Sequence, residues 1–288
     1  MAMKEFDQQY QDLTRRIMTE GAKTTNKRTG EQVRELPHQR IQIHGDQGYP
    51  FLTLRRLRPE ACTAEMLWSL SGSRRPADFL TRHAHFWDDF TLLDGVVTSA
   101  YGYRWRREFG RDQILDLINL LTVDPTSRHG TVLTWDPRSD GLNPDKSTQK
   151  KNIPCLPGFT VNIIGGKLHL HNWIRSNDDI PGLPYDVAAF ALLQRLLAAH
   201  FRVGIGTYTH DISNAHIYQR HFVAARTLIR RTNDHPPIHF ELQPDYLTRA
   251  LNSDRDPDVL DDLTIEIANL IKINYHPLPG IKGITVAL

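Results

Sequence analysis

The sequence predicts an α+β fold in a single domain covering residues 1–288. Helical and strand-like patterns are mixed along the chain without a regular strand–helix–strand period, which disfavours a doubly wound parallel sheet. A length of 288 residues fits one large domain, and no stretch has the composition of a linker. The apolar-rich stretch 185–201 is expected to form a long, mostly buried helix.

The first half of the chain predicts three helices and two strands. Residues 6–20 place apolar side chains near the 3.6-residue helical period, and residues 59–70 form a second helix with proline in its first turn. Residues 112–121 have the same helical character. Residues 40–44 and 51–57 alternate apolar and polar side chains in the manner of strands.

The second half predicts strands and helices around a two-glycine turn. Residues 159–164 and 167–173 are predicted strands joined by Gly165 and Gly166, which is a hairpin signal. Residues 136–152 form a polar insertion rich in loop-forming residues. The other predicted elements are strands at 130–135, 204–210 and 238–242 and helices at 185–201, 216–231 and 259–273.

Composition and charge limit the classes of function. Hydrophobic residues make up 40% and charged residues 24%, as in ordinary globular proteins. The formal net charge of +2 is too small to indicate a stable nucleic-acid partner, although a few local arginines could hold a small anion. Cys62 and Cys155 are too few for a disulfide framework and lack zinc-site spacing. Without a membrane-spanning run or a secretory leader, we expect no membrane partner and a cytoplasmic location.

Short motifs follow one another in a fixed order along nearly the whole chain. They are Arg28-Thr29-Gly30, Glu65-Met66-Leu67-Trp68, Trp87-Asp88-Asp89, Ala100-Tyr101-Gly102, Asp124-Pro125-Thr126-Ser127-Arg128, Pro154-Cys155, Arg175-Ser176, Gly182-Leu183-Pro184, Ala215-His216-Ile217-Tyr218 and Pro279-Gly280-Ile281-Lys282. In this order and spacing the chain resembles the thymidylate synthase family, and most closely its cytidylate 5-hydroxymethylases. The resemblance implies a mixed sheet with a long buried helix, a homodimer formed through the sheet, and 5,10-methylenetetrahydrofolate as cosubstrate.

The expected nucleophile is Cys155. A cysteine thiolate can add to C6 of a pyrimidine and turn C5 into a carbon nucleophile, and nearby guanidinium groups favour the thiolate. The resemblance places Arg175 beside this thiol. It also matches Glu65 to a glutamate that moves protons through water, a role that suits a carboxyl group in apolar surroundings. Cys62 has no family match and is expected to be a buried apolar side chain.

The resemblance divides the nucleotide's phosphate and sugar between two sets of side chains. Guanidinium groups suit phosphate because they donate paired hydrogen bonds to its oxygens. The family's usual second arginine after Arg128 is replaced here by His129, which reshapes the phosphate clamp. The implied phosphate contacts are Arg28, Arg175 and Ser176, with Arg128 and His129 reaching the phosphate site of the other subunit; the implied sugar contacts are His216 and Tyr218.

Asp186 stands where the uracil-binding members carry asparagine. An asparagine amide matches the C4 carbonyl and the N3–H of uracil. Cytosine offers an amino group and a bare N3, which a neutral carboxyl group matches by accepting one hydrogen bond and donating another. Mispairing such groups costs ~1–3 kcal/mol each, enough to reverse base preference. Asp186 is therefore expected to select cytosine and share a proton with N3, although aspartate near a helix start is also a common N-cap.

Folate binding is implied by the resemblance at several positions. Asp178 matches a carboxylate that contacts the pterin, and Gly182 lies in the same motif. Trp87 matches a tryptophan that packs near the cofactor. The last residues, 281–288 ending in Leu288, resemble a segment that closes over the bound ligands and excludes water.

Two products are open once a methylene group has been transferred to C5. Hydride from tetrahydrofolate would give a methyl group, and hydroxide from water would give a hydroxymethyl group. Leu156 replaces the family's usual histidine, and Asn152 replaces an apolar residue and could hold a water, whereas the retained Trp87 favours the methyl route. Because Asp186 is typical of the hydroxymethylases, we predict hydroxymethylation of dCMP. CMP hydroxymethylation, as in nucleoside-antibiotic pathways, and methyl formation are the alternatives.

Two further classes of function compete with this enzyme. An inactive homologue that only binds nucleotide or RNA is disfavoured, because the nucleophile, the glutamate and the sugar-binding pair are all retained. A metal site could use His169 and His171, which alternate on one predicted strand. No third ligand is placed with them, so we expect them to be structural and expect no metal.

Overall fold

A mixed sheet organises the described residues, which are 5–27, 29–142, 153–253 and 256–285 of this computed structural model. Its strands are β1 (Ala22–Thr25), β2 (Gln32–Ile43), β3 (Thr131–Leu133), β4 (Gly158–Ile164), β5 (Lys167–Ile174), β6 (Asn177–Asp178) and β7 (Gly204–Tyr218). The helices are α1 (Phe6–Glu20), α2 (Pro59–Ser71), α3 (Tyr101–Tyr103), α4 (Gln113–Val123), α5 (Leu183–Phe201), α6 (Phe222–Arg230), α7 (Tyr246–Leu251) and α8 (Pro257–Ile273). The predicted α+β class is confirmed.

The strand order brings separate parts of the chain to one edge of the sheet. The order is β1-β2-β7-β5-β4-β3, with β6 pairing beside β7. Strands β5 and β7 run parallel, and so do β6 and β7, whereas β2 pairs antiparallel with β7. A parallel pair requires a long crossover, which α5 provides. As a result, the carboxyl ends of β5, β6 and β7 and the first turn of α5 lie together.

The hairpin between β4 and β5 forms as predicted. Gly165 and Gly166 adopt φ values of 59° and 71°, the left-handed region that glycine enters without a steric penalty. Two consecutive residues with positive φ match the twist of a two-residue hairpin turn. The turn fixes the register in which Phe159 pairs with Asn172.

The long helix α5 is buried, as expected from its composition. It packs against β5 and β7 on one side and α2 on the other. Even its polar Gln194 is only 3% exposed, and its amide donates a 2.9 Å hydrogen bond to the Leu168 carbonyl oxygen. Within the described ranges, no helix combines the length and apolar character needed to cross a bilayer.

The opposite face of the sheet is open to solvent in the single chain. Along β5 the buried side chains alternate with half-exposed ones, and β7 alternates in the same way. The half-exposed side chains include His169, His171 and Trp173 on β5 and Thr207 and Thr209 on β7. This face therefore offers a broad surface of mixed polarity beside the core.

Residues 51–57, expected to be a strand, form an irregular segment with bends at residues 54 and 55 that joins no sheet. Burial is continuous rather than alternating: Leu52 and Thr53 are both fully buried. Side chains supply hydrogen-bond partners for the segment's backbone. The Tyr275 hydroxyl donates to the Leu52 carbonyl oxygen at 3.0 Å, and the Thr53 N–H donates to the Asp7 carboxylate at 3.2 Å. The prediction was wrong because these partners come from distant parts of the chain.

The helix predicted at 216–231 was also partly wrong. Residues 216–218 complete β7, whose antiparallel pairing with β2 extends to Tyr218 opposite Val33. The helix begins only at Phe222, so the predicted strand at 204–210 is correspondingly longer. The strand predicted at 238–242 lies in irregular structure, where the Ile238 carbonyl accepts a 2.7 Å hydrogen bond from the Tyr49 N–H.

The polar insertion predicted at 136–152 is described only as far as residue 142, so Asn152 lies outside the described residues. Its first turn is held by a buried ion pair between Arg104 and Asp140, whose Nη2 and Oδ1 atoms are 3.0 Å apart. Arg104 begins a π-helical turn that continues α3, and this pair anchors α3 to the strand region.

Candidate active site

The loop carrying Cys155 is tied to two other elements. The Cys155 N–H donates to the Tyr101 hydroxyl at 3.2 Å, and the Arg175 N–H donates to the Cys155 carbonyl at 2.8 Å. The Arg175 guanidinium also donates to the carbonyl oxygens of Pro154, at 2.8 Å, and Ile153, at 3.0 Å. Arg175 thus holds the backbone of the loop that carries the half-buried Cys155.

Tyr101 was not singled out as a site residue, yet the structure places it at the centre of the site. Its neighbour Gly102 lies directly over the Ser69 carbonyl, and a Cβ atom there would overlap that backbone. The glycine therefore allows α3 to approach α2 closely. This contact brings Tyr101 next to the helix that carries Glu65.

Glu65 is half-buried and receives a hydrogen bond from Trp87. The indole Nε1–H donates to Glu65 Oε1 at 2.8 Å. Burial raises the pKa of Glu65 above its usual value, while the indole hydrogen bond acts in the opposite direction. A carboxyl group with a raised pKa suits proton transfer through water near neutral pH.

Asp186 lies inside the first turn of α5 and is held by Asn177 of β6. The Asn177 Nδ2 group donates to Asp186 Oδ2 at 2.7 Å. Burial, with a smaller contribution from the nearby negative charge of Glu65, raises the pKa of Asp186 to about 7, although the Asn177 hydrogen bond acts in the opposite direction. The N-cap position is Gly182, so the alternative interpretation of Asp186 as a helix cap was wrong.

These predicted residues are brought together by the fold. Burial raises the pKa of Tyr101 well above its usual value, and the ionisable groups of Cys155, Asp186 and Glu65 all contribute to the rise. Tyr101 is therefore electrostatically coupled to the predicted nucleophile, the predicted proton-transfer carboxyl group and the residue expected to bind the base. A cysteine and two protonatable carboxyl groups around one hydrogen-bonding tyrosine can support covalent addition to an electron-poor ring.

The model of the thymidylate synthase family matches residues 8–287. The chain belongs to the thymidylate synthase family. The resemblance noted from the motifs is thereby confirmed at the family level. As a family member, the protein is a folate-dependent transferase of one-carbon units to C5 of a pyrimidine nucleotide, with 5,10-methylenetetrahydrofolate as donor and cosubstrate. Within this thymidylate synthase fold, the roles of single residues stay predictions.

The predicted sugar-binding pair lies at the end of β7. His216 and Tyr218 are 8% and 4% exposed, and their rings meet edge to face with centroids 5.3 Å apart. Asn26, in the turn after β1, donates to the Tyr218 hydroxyl at 3.2 Å. Arg28, two positions after Asn26 in the sequence, lies outside the described residues.

The predicted partner-reaching residues are separate from the nucleophile. Arg128 and His129 are exposed in the turn between α4 and β3. Ser176, by contrast, is half-buried directly after Arg175, between β5 and β6. Of the predicted phosphate contacts, Ser176 is therefore partly enclosed by the chain, whereas Arg128 and His129 face solvent.

The predicted folate-binding residues Asp178 and Gly182 lie close to Asp186, the predicted base-binding residue. Burial raises the pKa of the half-buried Asp178 well above its usual value. A Cβ atom on Gly182 would lie 3.2 Å from the Asp178 carbonyl oxygen and 3.6 Å from Asp186 Oδ2. Glycine thus leaves open the space between the backbone carbonyl of Asp178 and the carboxyl group of Asp186. Leu288 lies outside the described residues.

The strand histidines have structural partners. The Thr207 N–H donates to His169 Nδ1 at 3.0 Å, and His171 Nε2 lies 2.9 Å from Asp211 Oδ2. Both residues are on the open face of the sheet, away from the Cys155 loop. Among the described residues, no group of three histidine, cysteine, aspartate or glutamate side chains could hold a metal ion.

Sequence reasoning missed a buried chain of side chains behind Asp186. His210 Nε2 lies 2.9 Å from Asn177 Oδ1, and His210 Nδ1 lies 2.8 Å from the Tyr208 hydroxyl. His210 is fully buried, and burial lowers its pKa to about 3, so it is neutral. The available signal was the alternation of Tyr208 and His210 on the inward face of a predicted strand.

Proposed function

We propose that this thymidylate synthase family member is a cytidylate 5-hydroxymethylase, converting dCMP, 5,10-methylenetetrahydrofolate and water into 5-hydroxymethyl-dCMP and tetrahydrofolate. The observation that carries the proposal is Asp186, whose pKa of about 7 supports a proton on this carboxyl group near neutral pH. A protonated carboxyl can accept a hydrogen bond from the C4 amino group of cytosine and donate one to N3.

Covalent addition begins at Cys155. Its thiolate forms a bond to C6 of the ring, and the displaced electron pair moves through C5 and C4 toward N3. Asp186 transfers or shares its proton with N3, so negative charge does not accumulate on the ring. C5 then carries nucleophilic character in an enamine. The carbonyl contacts of Arg175 keep the Cys155 loop in place during this step.

The residues around Gly182 fit a folate cosubstrate because the half-buried Asp178 lies close to Gly182, and glycine leaves room next to the Asp178 backbone carbonyl. When bound, methylenetetrahydrofolate supplies a one-carbon unit at the oxidation level of formaldehyde. Trp87 forms a wall next to Glu65 and limits its rotation through their hydrogen bond. Leu288 belongs to the tail that, by the family resemblance, closes over this site.

Glu65 is assigned the proton transfers after C5 has formed its new bond. Its carboxylate accepts the C5 proton through water as the bond between the one-carbon unit and N5 of tetrahydrofolate breaks; N5 takes up a proton, and an exocyclic methylene is left at C5. After the carboxyl group has released its proton to solvent, it activates a water molecule, which adds to that methylene. The hydroxyl of that water stays on the product, and its proton returns to the solvent. Cys155 leaves C6 as a thiolate when the C5–C6 double bond is restored. Since no hydride is transferred, tetrahydrofolate is released unoxidised.

The phosphate and sugar are assigned to residues on both sides of β7. Arg175 and Ser176 bind the phosphate from within the chain, together with Arg28. His216 and Tyr218 bind the sugar hydroxyl, supported by their burial at the end of β7. Arg128 and His129 complete the phosphate site of the other subunit.

A homodimer formed through the open face of the sheet accounts for the exposure of Arg128. The half-exposed side chains of β5 and β7 offer a self-complementary surface of mixed polarity, as a two-fold interface requires. Such an interface would bury Trp173 and the imidazole rings beside it. It would also carry the turn between α4 and β3 toward a neighbouring active site.

A methyl-forming enzyme is the second candidate. The specific observation that favours it is Trp87, retained beside Glu65 at 2.8 Å from its carboxyl oxygen. CMP is the alternative substrate, because His129 in place of an arginine alters the phosphate clamp. The methyl-forming alternative differs from the first proposal in the mass of the product, and the CMP alternative differs in the sugar of the substrate.

The product distinguishes these functions directly. We expect incubation with methylenetetrahydrofolate and dCMP to give a nucleotide heavier by one CH₂O unit, without the absorbance of dihydrofolate. Parallel reactions use CMP and dUMP, and mass spectrometry identifies each product. Dihydrofolate formation with a CH₂ mass gain would establish the methyl route, and turnover of dUMP alone would refute the cytosine assignment.

Subunit mixing tests the homodimer and Arg128. Cys155→Ala and Arg128→Ala proteins are each expected to have little activity. If each site combines Cys155 of one subunit with Arg128 of the other, a mixed dimer contains one intact site. Random exchange then restores about a quarter of wild-type activity, because half of the dimers are mixed and each has one of two sites. No recovery after verified exchange would place Arg128 outside the shared site.

A further inference from the structure

Asn177 is a buried amide with a hydrogen-bond partner at each end. It is 3% exposed, its Nδ2 donates to Asp186 Oδ2 at 2.7 Å, and its Oδ1 lies 2.9 Å from His210 Nε2. A side-chain amide held at both ends cannot rotate away without leaving buried polar groups unpaired, which costs ~1–3 kcal/mol each. Asn177 therefore keeps one oxygen of Asp186 occupied.

His210 and Tyr208 define how this amide is oriented. With Asn177 Nδ2 facing Asp186, its Oδ1 faces His210, so the neutral ring donates from Nε2 and accepts at Nδ1. The Tyr208 hydroxyl, 2.8 Å from Nδ1, supplies that hydrogen bond. Burial raises the pKa of Tyr208 well above its usual value, so the hydroxyl keeps its proton. The chain of donors runs from Tyr208 through His210 and Asn177 to Asp186.

We propose that Asn177, oriented by His210 and Tyr208, is a specificity-determining positioning residue that makes Asp186 incompatible with uracil. In this arrangement Oδ2 faces the substituent at C4 of the base and Oδ1 faces N3. The inference rests on the proposed cytidylate function and deepens it. It assigns base choice to a pair, Asp186 with Asn177, rather than to the aspartate alone.

The physical reason is that a neutral carboxyl group by itself suits both bases. Its single proton can sit on either oxygen, so it can present the donor–acceptor order of cytosine or that of uracil. Asn177 removes this choice by donating to Oδ2. The proton then belongs to Oδ1, which donates to the bare N3 of cytosine, while Oδ2 accepts from the amino group. With uracil, the O4 acceptor would meet the Oδ2 acceptor, and the N3–H donor would meet the proton on Oδ1.

The opposite direction of hydrogen bonding through Tyr208, His210 and Asn177 does not accommodate uracil either. Tyr208 can instead donate to Asn172 Oδ1, 3.4 Å away, so that His210 donates from Nδ1 and Asn177 turns over. Asp186 Oδ2 must then donate its only proton to Asn177 Oδ1. The O4 atom of uracil still meets an oxygen without a hydrogen to share. Both orientations of Asn177 therefore exclude uracil as long as residue 186 is an aspartate.

Asn177 also influences the pH range in which Asp186 carries its proton. The titratable groups coupled to Asp186 come from three other elements: Glu65 and Cys62 on α2, Tyr101 on α3 and Tyr208 on β7. Of these, the Glu65 charge opposes ionisation of Asp186, and the Asn177 hydrogen bond favours it. Removing Asn177 therefore raises the pKa of Asp186.

The test replaces Asn177 by alanine and measures base discrimination. We expect the ratio of kcat/KM for dCMP to that for dUMP to fall by about tenfold or more, because one or more mispairings no longer oppose uracil. The alkaline limb of the dCMP profile should move to higher pH. An Asn233→Ala variant serves as the matched control, since among the described residues that amide donates to the carbonyls of Thr53 and His276, neither of which belongs to the proposed site. Its ratio is expected to match the wild type.

A second measurement works without turnover. The Asp186 carboxyl is titrated by ¹³C NMR in the ligand-free protein, with its signal assigned by its absence in Asp186→Asn. A higher pKa in Asn177→Ala than in the wild type supports the contact, and equal values overturn it. An unchanged dCMP-to-dUMP ratio in an active Asn177→Ala protein overturns the specificity role alone. A wild type that is inactive on dCMP overturns the proposed function and, with it, this inference.

Discussion

Replacing Cys155 with alanine is expected to reduce turnover of dCMP by about 10⁴-fold or more, since the covalent route to a nucleophilic C5 is lost. Affinity for dCMP should change only slightly, because the proposed contacts of the phosphate, sugar and base belong to other side chains. Steady-state product formation measures the first quantity and calorimetric titration the second. A binding protein without catalytic activity would keep its function in this variant.

Cys62→Ala is the matched control for loss of a thiol. Cys62 is fully buried on α2, and its Sγ lies 4.0 Å from the Tyr49 hydroxyl. Burial raises the pKa of Cys62 far above its usual value, so it stays a thiol at neutral pH. Turnover comparable to the wild type is expected for Cys62→Ala. Equal losses in the two variants would remove Cys155 from its assigned role.

The sequence predicts elements well where local pattern and tertiary role agree. Helix α1 begins and ends where its apolar period indicates. The Gly165-Gly166 turn requires positive φ at both positions, a conformation that two consecutive glycines indicate directly. Prediction fails at residues 51–57, where continuous burial and partners such as Asp7 replace a neighbouring strand. When side chains from distant parts of the sequence supply the hydrogen-bond partners of a backbone segment, the segment's own sequence carries no sign of it.

The candidate site shows the same division. Cys155 and Asp186 are recognisable because they stand in short motifs. Asn177 lies between them in the sequence, yet its role depends on His210, which reaches it only because β6 pairs with β7. A two-residue strand has too few positions to form a pattern. The buried chain behind Asp186 therefore becomes evident only in three dimensions.

Replacing Asp186 with asparagine should reverse the preference between bases. An amide nitrogen carries two hydrogens, so it can donate to Asn177 Oδ1 and to uracil O4 at once, while the amide oxygen accepts from N3–H. We expect kcat/KM for dCMP to fall by about 10²-fold or more and that for dUMP to rise, as measured in parallel assays. An unchanged preference for dCMP would show that Asp186 does not contact the base.

The pH dependence separates this effect from general damage. Asp186 has a folded-state pKa raised to about 7, so its proton is present below that pH and lost above it. Wild-type kcat/KM for dCMP should therefore decline above pH 7, whereas Asp186→Asn lacks the carboxyl group responsible for this decline. Asp178→Asn also removes a half-buried carboxyl group at the site, but it should raise KM for the folate and leave the dCMP-to-dUMP ratio unchanged. If both variants changed the ratio equally, base selection would depend on the overall charge of the site rather than on one carboxyl group facing N3.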